Sequence, residues 1–436
     1  MSESQVDIAS TEQPSVSGKA YFALAMLVIV YTLNFIDRQI ISILLPSIQA
    51  ELSIADWQAG LLAGAFFALF YSTLGIPIAT IADRGNRRNL IAWALFNWNG
   101  KTAFCRMAQN FWQLALARIG VGVGEAGCSP PAHSLISDYF PPAKRATALG
   151  IYSLGISLGI MFGLFLGGYI DDLYGWRMAF LIVGLPGVVL AILFRVTVWE
   201  PPRGLSESQR VSAAAARPRV IDTMRFLMRR RSFVHAAFGA ALAAFTGYSV
   251  ATFFPTFLAR SHGMSSSEIG LWLGLILGLA GGAGIFAGGF FADLFGRADA
   301  RWKLWTNVVA GLVTVPFSIG VYLVDDVRAA LLIFVIPAFL SNFYQATTFA
   351  QAQSLVNLRM RGVSAAVLLL VINLVGLGMG PPLTGALSDL LQPTFGNDSM
   401  RYALFSLVLV GLWSTFHYWR AGQYLPADLA RADDPD

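Results

Sequence analysis

Charge is what this 436-residue chain has least of. Asp, Glu, Lys and Arg together make up 13% of it, about half the share of an ordinary soluble protein. A water-soluble chain of this length needs far more charge to cover its surface, so a soluble domain is excluded. Cysteine is nearly absent too. The two present, Cys105 and Cys128, both lie in apolar stretches, which excludes a disulfide framework and a cysteine-ligated zinc site. His133, His235, His262 and His417 are scattered without metal-ligand spacing, so no metal is expected. There is no nucleophile–base pair either, so the chain does not read as an enzyme and no cofactor is implied. The formal charge of +5 is too small for a nucleic-acid partner. Residues 1–18 are polar, with no apolar core behind a basic segment; they read as a disordered cytoplasmic tail, not a signal peptide.

What is there is apolar: 56% of the residues. A membrane-spanning helix needs about 20 such residues in a run. The chain offers twelve, over 20–46, 56–81, 89–109, 111–139, 145–170, 177–198, 232–259, 265–292, 302–324, 328–355, 362–389 and 399–420. Gly, Pro and charge clusters mark most of the ends. The predicted fold is an all-α membrane protein. With the N-terminus inside, only Arg106, Arg177, Arg260, Arg328 and Arg401 fall at the outer face, and Arg38, Lys101 and Arg118 within spans; the remaining basic residues fall inside. That bias places both termini in the cytoplasm. Short loops point to a bacterial inner membrane. The long connection 199–231 carries Pro201–Pro202 and Arg229–Arg230–Arg231, which read as a topology anchor, with anionic-lipid binding as the alternative. It divides a six-helix bundle at 19–198 from another at 232–421, with a tail at 422–436.

The halves repeat in parallel. Span 2 ends in Ala79–Thr80–Ile81–Ala82–Asp83–Arg84–Gly85–Asn86–Arg87–Arg88, span 8 in Gly289–Phe290–Phe291–Ala292–Asp293–Leu294–Phe295–Gly296–Arg297. Pro46, predicted to close span 1, matches Pro255 in span 7. Glycines at 159, 163, 167 and 168 let span 5 approach a neighbour closely. Parallel six-helix repeats belong to one transporter architecture. These motifs, with Arg118-x-x-x-Gly122, resemble the major facilitator superfamily over nearly the whole chain. The resemblance implies a cytoplasmic gate built from Asp83, Arg84, Arg87, Arg88, Asp293 and Arg297.

Of the 25 acidic residues, only Asp37 and Glu125 fall deep within spans, where ionisable groups mark function. By helical rise, Asp37 lies about 14 Å and Arg118 about 12 Å below the outer ends of their helices, so they share one level; Glu125 follows on the Arg118 face about 10 Å deeper. A carboxylate away from water favours its protonated form, and a nearby guanidinium favours the ionised one. A cation that arrives or leaves therefore switches a proton. Arginine stays charged and holds an anion when the carboxylates release it. The competing reading is a fixed Asp–Arg lock between two helices. Asn34–Phe35–Ile36–Asp37–Arg38, Gly120–Val121–Gly122–Val123–Gly124–Glu125 and Gly175–Trp176–Arg177 resemble the Spinster-like sphingolipid and lysolipid transporters; the proton-coupled organic-anion symporters are the second branch. The resemblance implies Asp37 and Glu125 as protonation sites, Arg118 as their partner and Arg38 beside the substrate's charge.

The second half carries no charge inside spans 7, 8, 10 and 11. Its marks are Thr246, Tyr248, Asn342 and Gln345, with Phe253, Phe254 and Phe349. A charged wall opposite a neutral, aromatic one suits an amphipathic anion, though interhelical bonding and lipid packing explain such residues as well. Span 3 is unusual in holding Asn97, Asn99, Lys101 and Arg106; Lys101 reads first as a snorkelling side chain, with a lateral lipid entry as the alternative. The expected protein is a monomeric, proton-coupled transporter of a lysolipid or sphingoid phosphate, working by alternating access. The alternative is a symporter of a soluble anion such as a sugar acid.

Overall fold

The computed structural model describes residues 16–71, 73, 85–206, 220–357 and 360–431, and these are helical with no strand among them. Helix α1 (Gly18–Leu52) begins where the Ser17 hydroxyl accepts from the Ala20 N–H and stops at Ser53, whose φ is 51°. Pro46 does not close it. In an apolar bundle the backbone has no water to turn to, so the helix continues through the proline. Helix α2 opens at Asp56–Gly60 and passes through a π-turn at Leu61–Ala65. Asn86 caps α3 (Arg87–Phe104), and Asn110 caps α4 (Phe111–Glu125).

The fourth predicted span is two helices. α4 ends at Glu125 and α5 (Ser129–Tyr139) restarts with Pro130 and Pro131 in its first turn, where proline loses no helical bond. The expected kink is thus a break directly behind Glu125. Then follow α6 (Pro142–Tyr174) and α7 (Trp176–Thr197). The long connection contains a helix of its own, α8 (Val220–Arg229). The second half holds α9 (Arg231–His262), with Pro255 again internal, and α10 (Ser266–Gly296), opened by a Ser265–Glu268 capping box. After these come α11 (Trp302–Leu323), α12 (Val327–Leu340) and α13 (Phe343–Ser354). α14 runs through Arg361–Val371, a π-turn at Ile372–Leu377 and Gly378–Phe395. The last helix, α15 (Ser399–Leu429), passes its predicted end at 420. Leu425 and Asp428 there are buried, and Asp428 accepts the Ser232 N–H at 2.7 Å, so this stretch packs on the bundle and is not a tail.

Among the described residues, eight helices are long and apolar enough to cross a membrane. α3 is not one of them, because Asn97, Asn99 and Lys101 interrupt it. Lys101 is exposed and its stem lies over Gly120 of α4.

Within each half the long helices pair lengthwise: α1 with α6, α3 with α7, α9 with α15. Across the halves α2 meets α14 and α6 meets α10. These last contacts seal one end. A Cβ on Gly168 would stand 2.0 Å from the Ser266 carbonyl, and one on Gly60 2.5 Å from that of Pro381; only glycine permits such backbone approach. Around them Arg260 grips Asp56 with both terminal nitrogens at 2.9 and 2.8 Å, and Ser388 and Gln49 donate to the same carboxylate. Asp389 accepts the Asp56 and Trp57 N–H groups, and Asp172 those of Ser266 and Ser267.

Candidate transport cavity

Between the halves lies a cavity of about 320 Å³. α1 contributes Phe35, Arg38, Gln39 and Ser42, α2 Phe67, and α4 Arg118. The opposite wall comes from the second half: Thr246, Tyr248, Tyr322, Phe334, Asn342, Tyr344 and Gln345. Every charge on this lining is thus cationic and stands on one wall.

Arg38 is fixed from several sides. Its Nε donates to the fully buried Glu125 at 2.7 Å. Its guanidinium lies 5.1, 4.8 and 4.7 Å from the ring centroids of Phe35, Phe67 and Tyr71, a cation–π cage. The guanidinium keeps 22% side-chain exposure, toward the cavity. Arg118 is buried beside Asp37, but its Nη1 donates to the Asp37 main-chain carbonyl at 3.3 Å, and its Nε has no partner. The expected level of Asp37 and Arg118 matches this contact. The expected pairing does not: among the described residues the ion pair in the cluster runs from Arg38 to Glu125, and Arg118 makes none. The reason is rotation about the helix axes. Arg38 follows Asp37 directly on α1, so the two side chains leave the helix in different directions, and only that of Arg38 reaches Glu125.

Asp37 is among the least satisfied side chains of the described residues. It is fully buried, and neither carboxylate oxygen accepts a hydrogen bond. Trp98 and Thr102 of α3 face it, and the Trp98 Nε1 and Thr102 Oγ1 are also buried and unpaired. Asn34, buried beside Glu125, has an unpaired side-chain amide. Buried polar atoms without partners are costly, and here they converge on two carboxylates.

On the neutral wall, Gln345 donates to Asn342 at 3.1 Å and both line the cavity with Thr246 and Tyr248. Phe253 and Phe254 do not. They are fully buried in the core, where Phe254 stacks on Phe334 with centroids 4.1 Å apart. Phe349 lies off the cavity as well, against the core formed with Leu304 and Tyr418. The cavity's aromatic groups are Tyr248, Tyr322, Phe334 and Tyr344 on this side, and Phe35 and Phe67 on the other. A second hollow of about 110 Å³ runs on between α9, α11, α13 and α15, sharing Thr246, Val250, Thr314, Tyr322 and Tyr344 with the first.

Of the six residues expected to form a gate, Asp83 and Arg84 lie outside the described residues. Arg87 is buried within its own half, bonded to Asp138 and, at 2.9 Å, to Glu200; the Arg88 N–H donates to the same Glu200. Asp293 and Arg297 are exposed and form no ion pair among the described residues.

Residues 27–381 match the profile of the Major Facilitator Superfamily. The chain belongs to that superfamily. Its fold is that of a multi-pass membrane transporter. A crystal structure of a bacterial homolog of the human lysosomal transporter Spinster, inward-facing and unoccupied, superposes with a TM-score of 0.87 at 31% identity, covering 95% of this chain and 99% of that one. An MFS-type efflux pump of Mycolicibacterium smegmatis is 34% identical over 416 residues, 94% of each chain. Human protein spinster homolog 1 is 27% identical over 439 residues, 95% of this chain and 83% of its own. A hexuronate transporter of Bacillus subtilis is 25% identical over 362 residues, 82% of this chain and 85% of its own. The Spinster resemblance and the sugar-acid alternative both have relatives here.

Proposed function

We propose that the protein is a proton-coupled secondary transporter of an amphipathic anion, such as a lysolipid or a sphingoid phosphate. It works by alternating access, in a bacterial inner membrane with both termini in the cytoplasm. Two bundles, 19–198 and 232–421, rock about the central cavity, and the sealed end is the outer one. Arg38 and Arg118 take the anionic head, and Glu125 and Asp37 take up the coupled proton from one side of the membrane and release it to the other. Asp83, Arg84, Arg87, Arg88, Asp293 and Arg297 close the cytoplasmic end in the opposite conformation.

The observation that supports this reading is the asymmetry of charge in the cavity: both guanidiniums stand on one wall, the other wall is neutral with four aromatic rings, and a mainly apolar hollow continues behind those rings. A head group and a tail have separate places. The Asn342–Gln345 pair favours the second reading, a sugar acid whose hydroxyl groups bond to the neutral wall.

Affinities for a lysophospholipid and for glucuronate across Tyr322→Ala, Phe334→Ala, Asn342→Ala and Gln345→Ala separate the two. Removing ring contact with a tail costs about 1–3 kcal/mol, or about 5- to 150-fold, and the amide variants should leave lysolipid binding within a few-fold. Lost glucuronate binding in the amide variants, with no lysolipid binding in the parent, overturns the lipid reading. Phe253→Ala, buried in the core and off the cavity, serves as a control that lowers stability and leaves affinity unchanged.

A further inference from the structure

The transport reading leaves one cluster unused. On the second half, at the linker-side ends of α9 and α15, the Tyr424 ring of α15 is approached by two guanidiniums. That of Arg420 lies 4.9 Å from the ring centroid and donates to the Tyr424 hydroxyl; that of Arg231, from the start of α9, lies 5.6 Å away. Neither arginine has a carboxylate partner among the described residues. Arg420 is held further by Gln423, whose Oε1 accepts at 2.9 Å, and by the Trp419 ring at 5.9 Å, but none of these partners is anionic. Two cations on one ring repel each other, and the uncompensated charge favours an anion from elsewhere. His235 stacks on the same ring at 5.8 Å, and its Nδ1 lies 3.0 Å from that of His417. One of those nitrogens must carry a proton, and the pair adds neutral donor capacity beside the arginines.

The surroundings say which kind of anion. Phe238, Trp413 and Phe416 ring the His417 imidazole and are 53%, 58% and 48% exposed. Aromatic side chains of this kind, beside arginines, gather at the membrane–water boundary. Independently, α8 is amphipathic in an unusual sense. Its Thr223 and Leu227 are fully buried on the second half, while Ile221, Met224 and Met228 are exposed. The spacing of three and four puts the exposed three on one outward face, with Arg225 exposed beside them. A helix facing water does not show such a stripe; a helix lying in the lipid interface does. α8 leads directly into Arg231 through Arg230, whose guanidinium sits over Phe226.

We propose that the Arg231–Arg420 shelf, flanked at the start of α9 by the interfacial helix α8, binds the phosphodiester of an anionic phospholipid from the leaflet on the linker side. The acyl chains run over Phe238 and Trp413. This site is separate from the transport cavity and stands or falls independently of the substrate.

The test is native mass spectrometry of the full chain in detergent, titrated with phosphatidylglycerol or phosphatidylcholine. The parent should retain phosphatidylglycerol and not phosphatidylcholine. Each basic residue near a membrane surface is worth about 1 kcal/mol, so Arg231→Gln and Arg420→Gln should each weaken retention about 5-fold, and Arg195→Gln, an exposed arginine on α7, should not. Arg231→Lys with Arg420→Lys keeps the charge and should keep the lipid, which guards against misreading a folding defect. Met224→Ser with Met228→Ser should weaken phosphatidylglycerol retention in the same titration. Equal retention of both lipids, or full retention in the double glutamine variant, overturns the proposal. Displacement of the lipid by millimolar inorganic phosphate also overturns it, in favour of a site for a soluble anion.

Discussion

Glu125→Gln is the sharpest perturbation of the proposed coupling site, because the amide is nearly isosteric and only the charge is lost. Arg38 is held by the Glu125 carboxylate at 2.7 Å and by three rings. The rings remain in the variant, so the guanidinium keeps its place. What disappears is a competitor: a substrate anion must draw Arg38 away from Glu125 before it binds. A hydrogen bond to a charged group contributes about 1.5–3 kcal/mol. Its loss should therefore tighten binding of an anionic substrate by about 10- to 150-fold at neutral pH. Protonation of Glu125 does the same to the parent protein. The parent's affinity should accordingly rise as the pH falls, while that of Glu125→Gln stays high and flat. Affinity can be read by isothermal titration in nanodiscs, and accumulation by flux into proteoliposomes with and without an imposed pH gradient. The variant should bind, exchange substrate across the membrane, and lose gradient-driven accumulation. Weaker binding than the parent at neutral pH, or undiminished accumulation, would refute the reasoning.

Three further perturbations bear on the gates and the frame. Gly168→Leu places a side chain against the Ser266 carbonyl, where even a Cβ would be 2.0 Å away; thiol labelling of a cysteine at Ile160 from the sealed end should rise. Arg260→Gln strips the buried Asp56 of its cation, a loss of about 3–5 kcal/mol to the sealed conformation, so labelling at the same site should rise, and Asp56→Asn in the same chain should partly restore the parent value. Arg87→Ala leaves Asp138 and Glu200 without their shared cation, and should lower the melting temperature by several degrees, whatever the conformation. No change in melting would confine Arg87 to a role in gating.

The helical frame was legible because spanning helices need long apolar runs, and nothing else in the chain competes with them. The common level of Asp37 and Arg118 followed from helical rise alone, and the 3.3 Å contact between Arg118 and the Asp37 carbonyl agrees with it. Rotation was not legible. Rise fixes depth, but which of two adjacent residues faces a partner depends on how α1 turns against α4, and so Arg38 and not Arg118 meets Glu125. Aromatic lining failed for a related reason. A helix in a membrane bundle is apolar all round, so periodicity does not distinguish Phe254, in the core, from Tyr322 and Phe334, on the cavity. Phe67 and Tyr71 had a readable signal, since they stand one turn apart on α2 and stack on each other at 5.3 Å, but nothing in their spacing showed that Arg38 would lie over them. The pair Pro130–Pro131 reads as a kink only if one helix is assumed; prolines in a first turn fit a new helix equally well.

The placement of the two walls limits what the substrate of the proposed transporter must do. A ligand shifts a conformational equilibrium only by its difference in affinity for the two states. An anion that touched Arg38 and Arg118 alone would contact one half, and that half moves as a body, so its contacts would be the same in both conformations. It would then bias the equilibrium only through Glu125 and Asp37. A substrate that also reaches Tyr322, Phe334 or the hollow behind them bridges the halves, and those contacts change as the halves rock. At the sealed end the opposing contacts bridge the halves too, because Gln49 and Asp56 belong to the first and Arg260 and Ser388 to the second. Opening that end costs these bonds, and the compensating contacts must form at the other end or on the substrate. A bridging substrate can supply part of that compensation; a small anion confined to the cationic wall cannot. A substrate of the proposed transporter must therefore reach both walls, through a tail on Tyr322 and Phe334 or through hydroxyl groups on Asn342 and Gln345.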